Sequence, residues 1–212
     1  MKKCLTILYK IYNMLKRIYL SLRWRIWYII NKSKFKQLGK KAFMYKPLSI
    51  EGIQNISVGS NVYIAYKTWL AAMPHTGFKE CELIIGDGCI IGNFNHIYAT
   101  KSIRFGNNVL TADKVYISDN LHGYEDISTP ILRQPVKQVG TVTIGENSWI
   151  GENVCIMGAN IGKHCVIGAN SVVTKDIPDF CVVAGAPAKI IKRYSFEKNE
   201  WLRTDDKGDF LK

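Results

Sequence analysis

His122 is the side chain best suited to chemistry in this 212-residue sequence. It lies in the run SDNLHGYED, with Asp119, Asn120, Glu125 and Asp126 close by. An imidazole changes charge near neutral pH, and a general base that takes a proton from a hydroxyl needs that property. A neighbouring carboxylate or a backbone carbonyl can fix the ring's tautomer; spacing does not choose between them. The other histidines offer less. His96, in IGNFNH, points outward from a short strand and reads as a surface residue or as part of an acceptor pocket, whereas His75 lies in a loop and His164 at a solvated corner. The six cysteines, Cys4, Cys81, Cys89, Cys155, Cys165 and Cys181, form no CxxC pair, and no histidine stands at zinc-finger spacing. They read as reduced structural thiols of a reducing compartment, and no metal is expected. No Walker or GxGxxG arrangement is present.

The elements that must position His122 follow from a repeat. Ile144, Ile150, Ile156, Ile161, Ile167 and Val173 lead successive short phrases, six residues apart except for the step from Ile156 to Ile161. Side chains alternate between the faces of a strand, so each lead residue shares a face with the small residue two before it, as in Ser148–Ile150 and Cys165–Ile167. Gly, Asn and Lys-His between these pairs tolerate tight or left-handed backbone. Such units bury their apolar residues only when stacked as coils. The pattern begins at Ile56–Val58 and Val62–Ile64, breaks at Met73–Glu82, resumes at Ile85, Ile91 and Ile97, and continues at Phe105, Thr111 and Ile117. His122 then falls in an interruption at 118–141, longer than twenty residues. Loops of that length in a compact domain are usually functional or disordered. The expected fold is an all-β solenoid with an N-terminal amphipathic helical segment: 1–45 helical, 50–192 the solenoid, 193–212 a tail ending in a frayed charge cluster at Asp205, Asp206 and Lys207.

The phrase IGENSWIGENVCIMGANIGKHCVIGANSV and the run SVVTKDIPDFCVVAGAPAKIIK together resemble the hexapeptide-repeat acetyltransferases. The resemblance spans roughly 56–192. It implies a left-handed parallel β-helix, a hand that general connection rules would not supply, and acetyl-CoA as co-substrate. It implies His122 as catalytic base, and Asn93, His96, Asp119 and Trp149 at the acceptor. Trp149, Gly151, Gly168, Ala169, Thr174, Lys175, Lys189 and Lys192 would line the donor. Asn93 alternatively reads as a corner residue in left-handed backbone, Trp149 as a subunit contact, and each lysine as a solvated surface charge. The family often has Arg at the places of Lys189 and Lys192. A homotrimer with sites between subunits is implied as well. The implied activity is O-acetylation of a sugar hydroxyl, with a surface polysaccharide or its precursor the best-fitting acceptor. Rival readings are a serine-type or other small-molecule acetyltransferase and a non-catalytic membrane-associated scaffold. A γ-type carbonic anhydrase would need three well-placed histidines that are not here.

Charge is divided sharply. The formal net charge is +12, but residues 1–50 hold thirteen Lys and Arg and no Asp or Glu, while the rest of the chain is nearly neutral. A nucleic-acid surface spread over the whole protein is therefore not expected. Cys4, Leu8, Ile11, Leu15, Ile18, Leu22, Ile26 and Ile29 recur at helical spacing. Lys10, Lys16, Arg17, Arg23 and Arg25 interrupt every long apolar run, so neither a spanning helix nor a signal peptide is expected. Tyr9, Tyr12, Tyr19, Trp24, Trp27 and Tyr28 among these cations suit an anionic membrane surface. Packing on the solenoid or on other copies is the alternative. The expected location is cytoplasmic, peripheral on the inner face of the membrane.

Overall fold

The computed structural model describes residues 2–205 and 208–211, with backbone alone for 2–8, 17, 18, 20 and 21. The side chains of Cys4, Leu8 and Ile18, and residues Asp206 and Lys207, thus lie outside the described residues. The chain opens with helix α1 (Lys2–Asn31) and then winds a three-sided solenoid. Coil one is β1 (Gln37–Leu38), β2 (Phe43–Met44) and β3 (Ser49–Glu51); coil two is β4 (Ile56–Val58), β5 (Tyr63–Ile64) and β6 (Trp69–Ala72). Coil three is β7 (Glu82–Ile85), β8 (Ile90–Ile91) and β9 (His96–Ala99); coil four is β10 (Ser102–Phe105), β11 (Leu110–Thr111) and β12 (Tyr116–Ser118). A hairpin, β13 (Asn120–His122) and β14 (Val136–Gln138), projects before coil five, β15 (Val142–Ile144), β16 (Trp149–Ile150) and β17 (Cys155–Met157). Coil six enters through Ile161 and continues as β18 (Val166–Ile167) and β19 (Val172–Val173); coil seven enters through Ile177 into β20 (Cys181–Gly185).

Each face is a parallel sheet of corresponding strands. The first is β1-β4-β7-β10-β15, extended by the bridges Ile144–Ile161 and Ile161–Ile177. The second is β2-β5-β8-β11-β16-β18-β20, and the third runs from β3 to β19. The six-residue period works because each face takes two inward residues, with one outward residue between them, and each corner needs two or three residues to turn. The inward pairs of the first face are both large, as in Leu83–Ile85 and Val142–Ile144, while the second face pairs a small residue with an aliphatic one, as in Ser148–Ile150. Ile91, Ile97, Ile103, Ile117, Ile144, Ile150, Ile156 and Ile167 are wholly buried, each contributing roughly 1.5–3 kcal/mol. Ser148, Cys165 and Ser171 fill the small inward places. Asn95 replaces one of them and is satisfied: its amide donates to the Ala112 carbonyl at 3.0 Å and accepts from the Val115 N–H at 2.9 Å. The short step from Ile156 to Ile161 is taken by Gly158, at φ 59°, and the inward Ala159.

Three expectations are corrected. Helix α1 ends at Asn31, so the segment 1–45 is not helical throughout. Phe35, Leu38, Ala42 and Met44 point inward and already build coil one, ahead of Ile56. Glu82 begins β7 rather than ending the preceding loop. The tail folds onto the body: β21 (Ala188–Ser195) and β22 (Glu200–Arg203) extend the second face antiparallel, and Trp201 packs edge-on against Tyr194.

Candidate active site

His122 is the last residue of β13, exposed and paired across the hairpin with Val136. Strand pairing makes this part of 118–141 regular and presents the imbalanced segment as an arm with a rigid root. The root is Asp119, which is fully buried. Its carboxylate accepts the backbone N–H groups of Thr100, Lys101 and Ser102 at 2.8, 2.8 and 2.9 Å and the Asn120 amide at 3.0 Å. The Thr100 hydroxyl lies 2.8 Å from Asp119 and 3.0 Å from Gln138 Oε1. Its single proton serves one acceptor at a time, and charge favours the carboxylate. Asp119 was expected at the acceptor. The structure instead gives it the corner between coils three and four, because both its oxygens are occupied by groups of that corner and of the hairpin root.

Gln138 completes the root. Its amide N–H donates to the Asp119 carbonyl at 2.8 Å and also to the Gly140 carbonyl, and its Oε1 accepts from Thr76 at 2.8 Å. Nothing in the spacing of Gln138 or Thr76 marks them, since they are 62 residues apart in sequence. The carboxylates downstream of His122 turn elsewhere. Lys137 hydrogen-bonds Glu125, which with the Tyr124 N–H holds its carboxyl down to about 2; Ser128 and Thr129 hold Asp126 down to about 2. Among the described residues, neither a carboxylate nor a carbonyl hydrogen-bonds the His122 ring.

His96 lies on the outside of the third face, in register with Trp69 and Tyr116. Its ring stacks on Trp69 with centroids 4.1 Å apart and planes 7° from parallel, and burial pushes its pKa down. Trp69 Nε1 and His96 Nε2 are both buried without a hydrogen-bond partner among the described residues. Beside them Tyr98 bonds His75 Nδ1, which the sequence alone left as a bystander. Asn93 occupies the corner between second and third faces. The left-handed residue there is Phe94, at φ 56°, rather than Asn93. The Asn93 amide donates to Asp113 at 3.0 Å, and its oxygen accepts the Tyr66 N–H at 3.1 Å.

The expected donor residues divide. Trp149, half exposed on the second face, leads to Gly151 at the next corner, and Gly168 and Ala169 repeat that corner one coil later. Lys189, opposite Ala184 where β20 reaches the same edge, continues the line. Gly151 itself is buried; a Cβ there would meet the Ala169 nitrogen and Ile167 oxygen at 2.7 Å, so close coil stacking is what requires glycine. Thr174 and Lys175 are exposed but lie across the third face, on the edge from which the His122 hairpin springs. Lys192 lies opposite Val182, at the far side of the second face from Lys189. The thiols do not join any of these groups. Burial pushes Cys81 up to about 12 and Cys89 and Cys165 up to about 11, which keeps them protonated and inert. Among the described residues no cluster could hold a metal ion.

Residues 141–175 match the family model described as hexapeptide repeat of succinyl-transferase. WbbJ of Escherichia coli K12, named for O-acetyl transfer in lipopolysaccharide biosynthesis, is 37% identical over 58% of this chain and 67% of its own length. Galactoside O-acetyltransferase of the same organism is 29% identical over 83% of this chain and 72% of its own. The acetyltransferase Rv3034c of Mycobacterium tuberculosis is 37% identical over 66% of this chain, which spans only 45% of that relative. Among solved structures, an AntD N-acyltransferase mutant from Bacillus cereus, bound to dTDP and coenzyme A, superposes with a TM-score of 0.67 at 21% identity over 80% of this chain and 89% of its own. An acetyl-CoA complex of a hexapeptide-repeat acetyltransferase from Vibrio cholerae gives 0.52 at 24% identity, over 79% and 76%. Repeat, stacked three-sided coils and relatives agree: the chain belongs to the hexapeptide-repeat acetyltransferases and has their left-handed parallel β-helix fold.

Proposed function

We propose that this protein transfers the acetyl group of acetyl-CoA to a sugar hydroxyl, of a surface polysaccharide or its precursor, with His122 as general base. The observation that carries this reading is an exposed imidazole at the tip of a strand whose root is a buried, fully hydrogen-bonded carboxylate. Such a root places the ring without consuming its nitrogens. His122 takes the hydroxyl proton while the oxygen attacks the thioester carbonyl; the C–S bond breaks, and the thiolate leaves and is protonated to free coenzyme A. No acyl-enzyme is required. Trp149, Gly168, Ala169 and Lys189 form an edge along which an extended co-substrate fits, Lys189 serving as a point charge for phosphates; Lys175, on the His122 edge, would reach that co-substrate only from a second copy. The names of WbbJ and galactoside O-acetyltransferase support a sugar acceptor.

A homotrimer with shared sites accords with this geometry. The His122 edge and the Trp149–Ala169 corner line are separated in one chain by the third face, so a second copy would complete the pair. Phe43, Tyr63, Ile90, Leu110, Trp149, Val166 and Val182 stand in register along the outside of the second face, offering copies an apolar stripe. Peripheral membrane contact is supported by α1. Ile11, Leu15, Leu22, Ile26 and Ile29 remain exposed among lysines and arginines, and no described helix is long and apolar enough to cross a membrane. That contact would hold the enzyme at the inner membrane face, near lipid-linked glycans.

Calorimetric titration of acetyl-CoA tests the central claim. Saturable binding to wild type and to His122→Ala alike, with acetyl transfer only by wild type, is expected. Absence of binding to well-folded wild type sinks the reading. Removal of residues 1–31 is expected to abolish pelleting with anionic vesicles.

A further inference from the structure

A cavity of about 760 Å³ lies beside the root of the His122 hairpin, outside every residue considered above for donor or base. Lys36, Lys79, Lys101 and Arg104 line it, against Glu80 and Glu82. Arg104 and Glu82 neutralise each other in an ion pair. Lys36, Lys79 and Lys101 have no carboxylate at ion-pair distance among the described residues, which leaves the cavity with an excess of positive charge. The Lys101 ammonium is held over the Phe78 ring at 4.3 Å from its centroid, so the wall loop 73–81 keeps one cation in place.

The cavity and the catalytic arm share their supports. The Lys101 and Ser102 N–H groups that border the cavity are two of the donors to Asp119. The wall loop reaches the hairpin through Thr76 and Gln138. His122 stands three residues of extended strand, about 10 Å, beyond Asp119. With Glu80 set against Lys36, Lys79 and Lys101, the cavity keeps a net positive charge that suits a strongly anionic group.

Resting on the acetyltransferase reading, we propose that this cavity binds the diphosphate of the acceptor, so that the substrate is a sugar linked through diphosphate to its carrier rather than a free sugar. Lysine ammonium groups suit phosphate as point charges. The carrier can be a nucleoside or a lipid; the cavity recognises the diphosphate common to both.

The test is calorimetric titration of inorganic diphosphate into the full chain, with saturating acetyl-CoA present to fill the donor site. Lys79→Ala/Lys101→Ala removes two ammonium groups and leaves the Lys101 N–H in place for Asp119. Wild type is expected to bind and the double variant to bind about tenfold more weakly or worse, with acetyl-CoA affinity unchanged as the control for folding. No diphosphate binding at millimolar concentration, or equal binding by both proteins, overturns the proposal. If acetyl-CoA binds and diphosphate does not, the acetyltransferase reading stands and only this inference falls. Uridine diphosphate binding tighter than inorganic diphosphate assigns a nucleotide carrier; geranyl diphosphate binding tighter assigns a lipid one.

Discussion

The carboxylate of Asp119 accepts the backbone N–H of Lys101 at 2.8 Å, tying the strand that ends in His122 to a corner between two coils. The Thr100 and Ser102 N–H groups converge on the same side chain. Asp119→Ala leaves three backbone donors and the Asn120 amide without their acceptor. Unsatisfied buried groups cost about 1–3 kcal/mol each, and partial relaxation brings the expected loss to roughly 2–4 kcal/mol. Urea unfolding measures it. Limited proteolysis should cut between 123 and 135 sooner than in wild type, and an unchanged cutting rate would remove Asp119 from the hairpin's support.

His122→Ala is expected to lower acetyl transfer by about 10²–10⁴-fold, the usual contribution of a positioned general base. The imidazole is exposed and makes no structural hydrogen bond among the described residues, so the thermal midpoint should stay close to wild type. A variant that retains full turnover would require another base.

Trp149→Ala and Gly151→Ala separate a ligand contact from a packing constraint two residues away. The Trp149 ring is 49% exposed, and its loss should weaken acetyl-CoA binding while sparing the fold. A Cβ at Gly151 would lie 2.7 Å from backbone atoms of the next coil, so Gly151→Ala should cost about 1–3 kcal/mol of stability. Paired melting curves and acetyl-CoA titrations check both. Wild-type stability in Gly151→Ala would contradict the stacking argument.

Burial lowers the pKa of His96, with Glu51 opposing. The unfolded chain, with a histidine pKa near 6.5, then binds more protons than the folded one as pH falls through that value. The contribution of His96 is therefore constant above the unfolded pKa and turns destabilising as pH falls below it, down to the lowered folded pKa. His96→Phe removes this component. Urea midpoints at pH 7.5 and 5.5 should show wild type losing more stability than His96→Phe over that interval; equal losses would mean the folded ring is protonated as readily as the unfolded.

The repeat was legible because its physics is local. Ile150, Ser148 and Asn153 announce an inward pair and a corner within six residues, and the coils from Ile56 to Val183 repeat this, interrupted by the short step at Ile161 and by the excursions at 73–81 and 119–141. Coil one is hard to read because its signals, Leu38-Gly39, Ala42 and Met44, form a single weak phrase among lysines directly after a helical stripe, without the repeated Ile-Gly punctuation of the later coils. His122 stood out through residue type and through the length of the interruption around it. What holds it does not: only the fold brings Thr100, Lys101 and Ser102 around Asp119, whose type and spacing by themselves suit a ligand carboxylate. Thr76, Gln138 and the cations of the adjoining cavity come from loops far apart in sequence. A six-residue period specifies which residues face inward within a coil. Which side chains of different coils and loops meet depends on the stacking register and on where two long excursions return, and only the tertiary structure decides that.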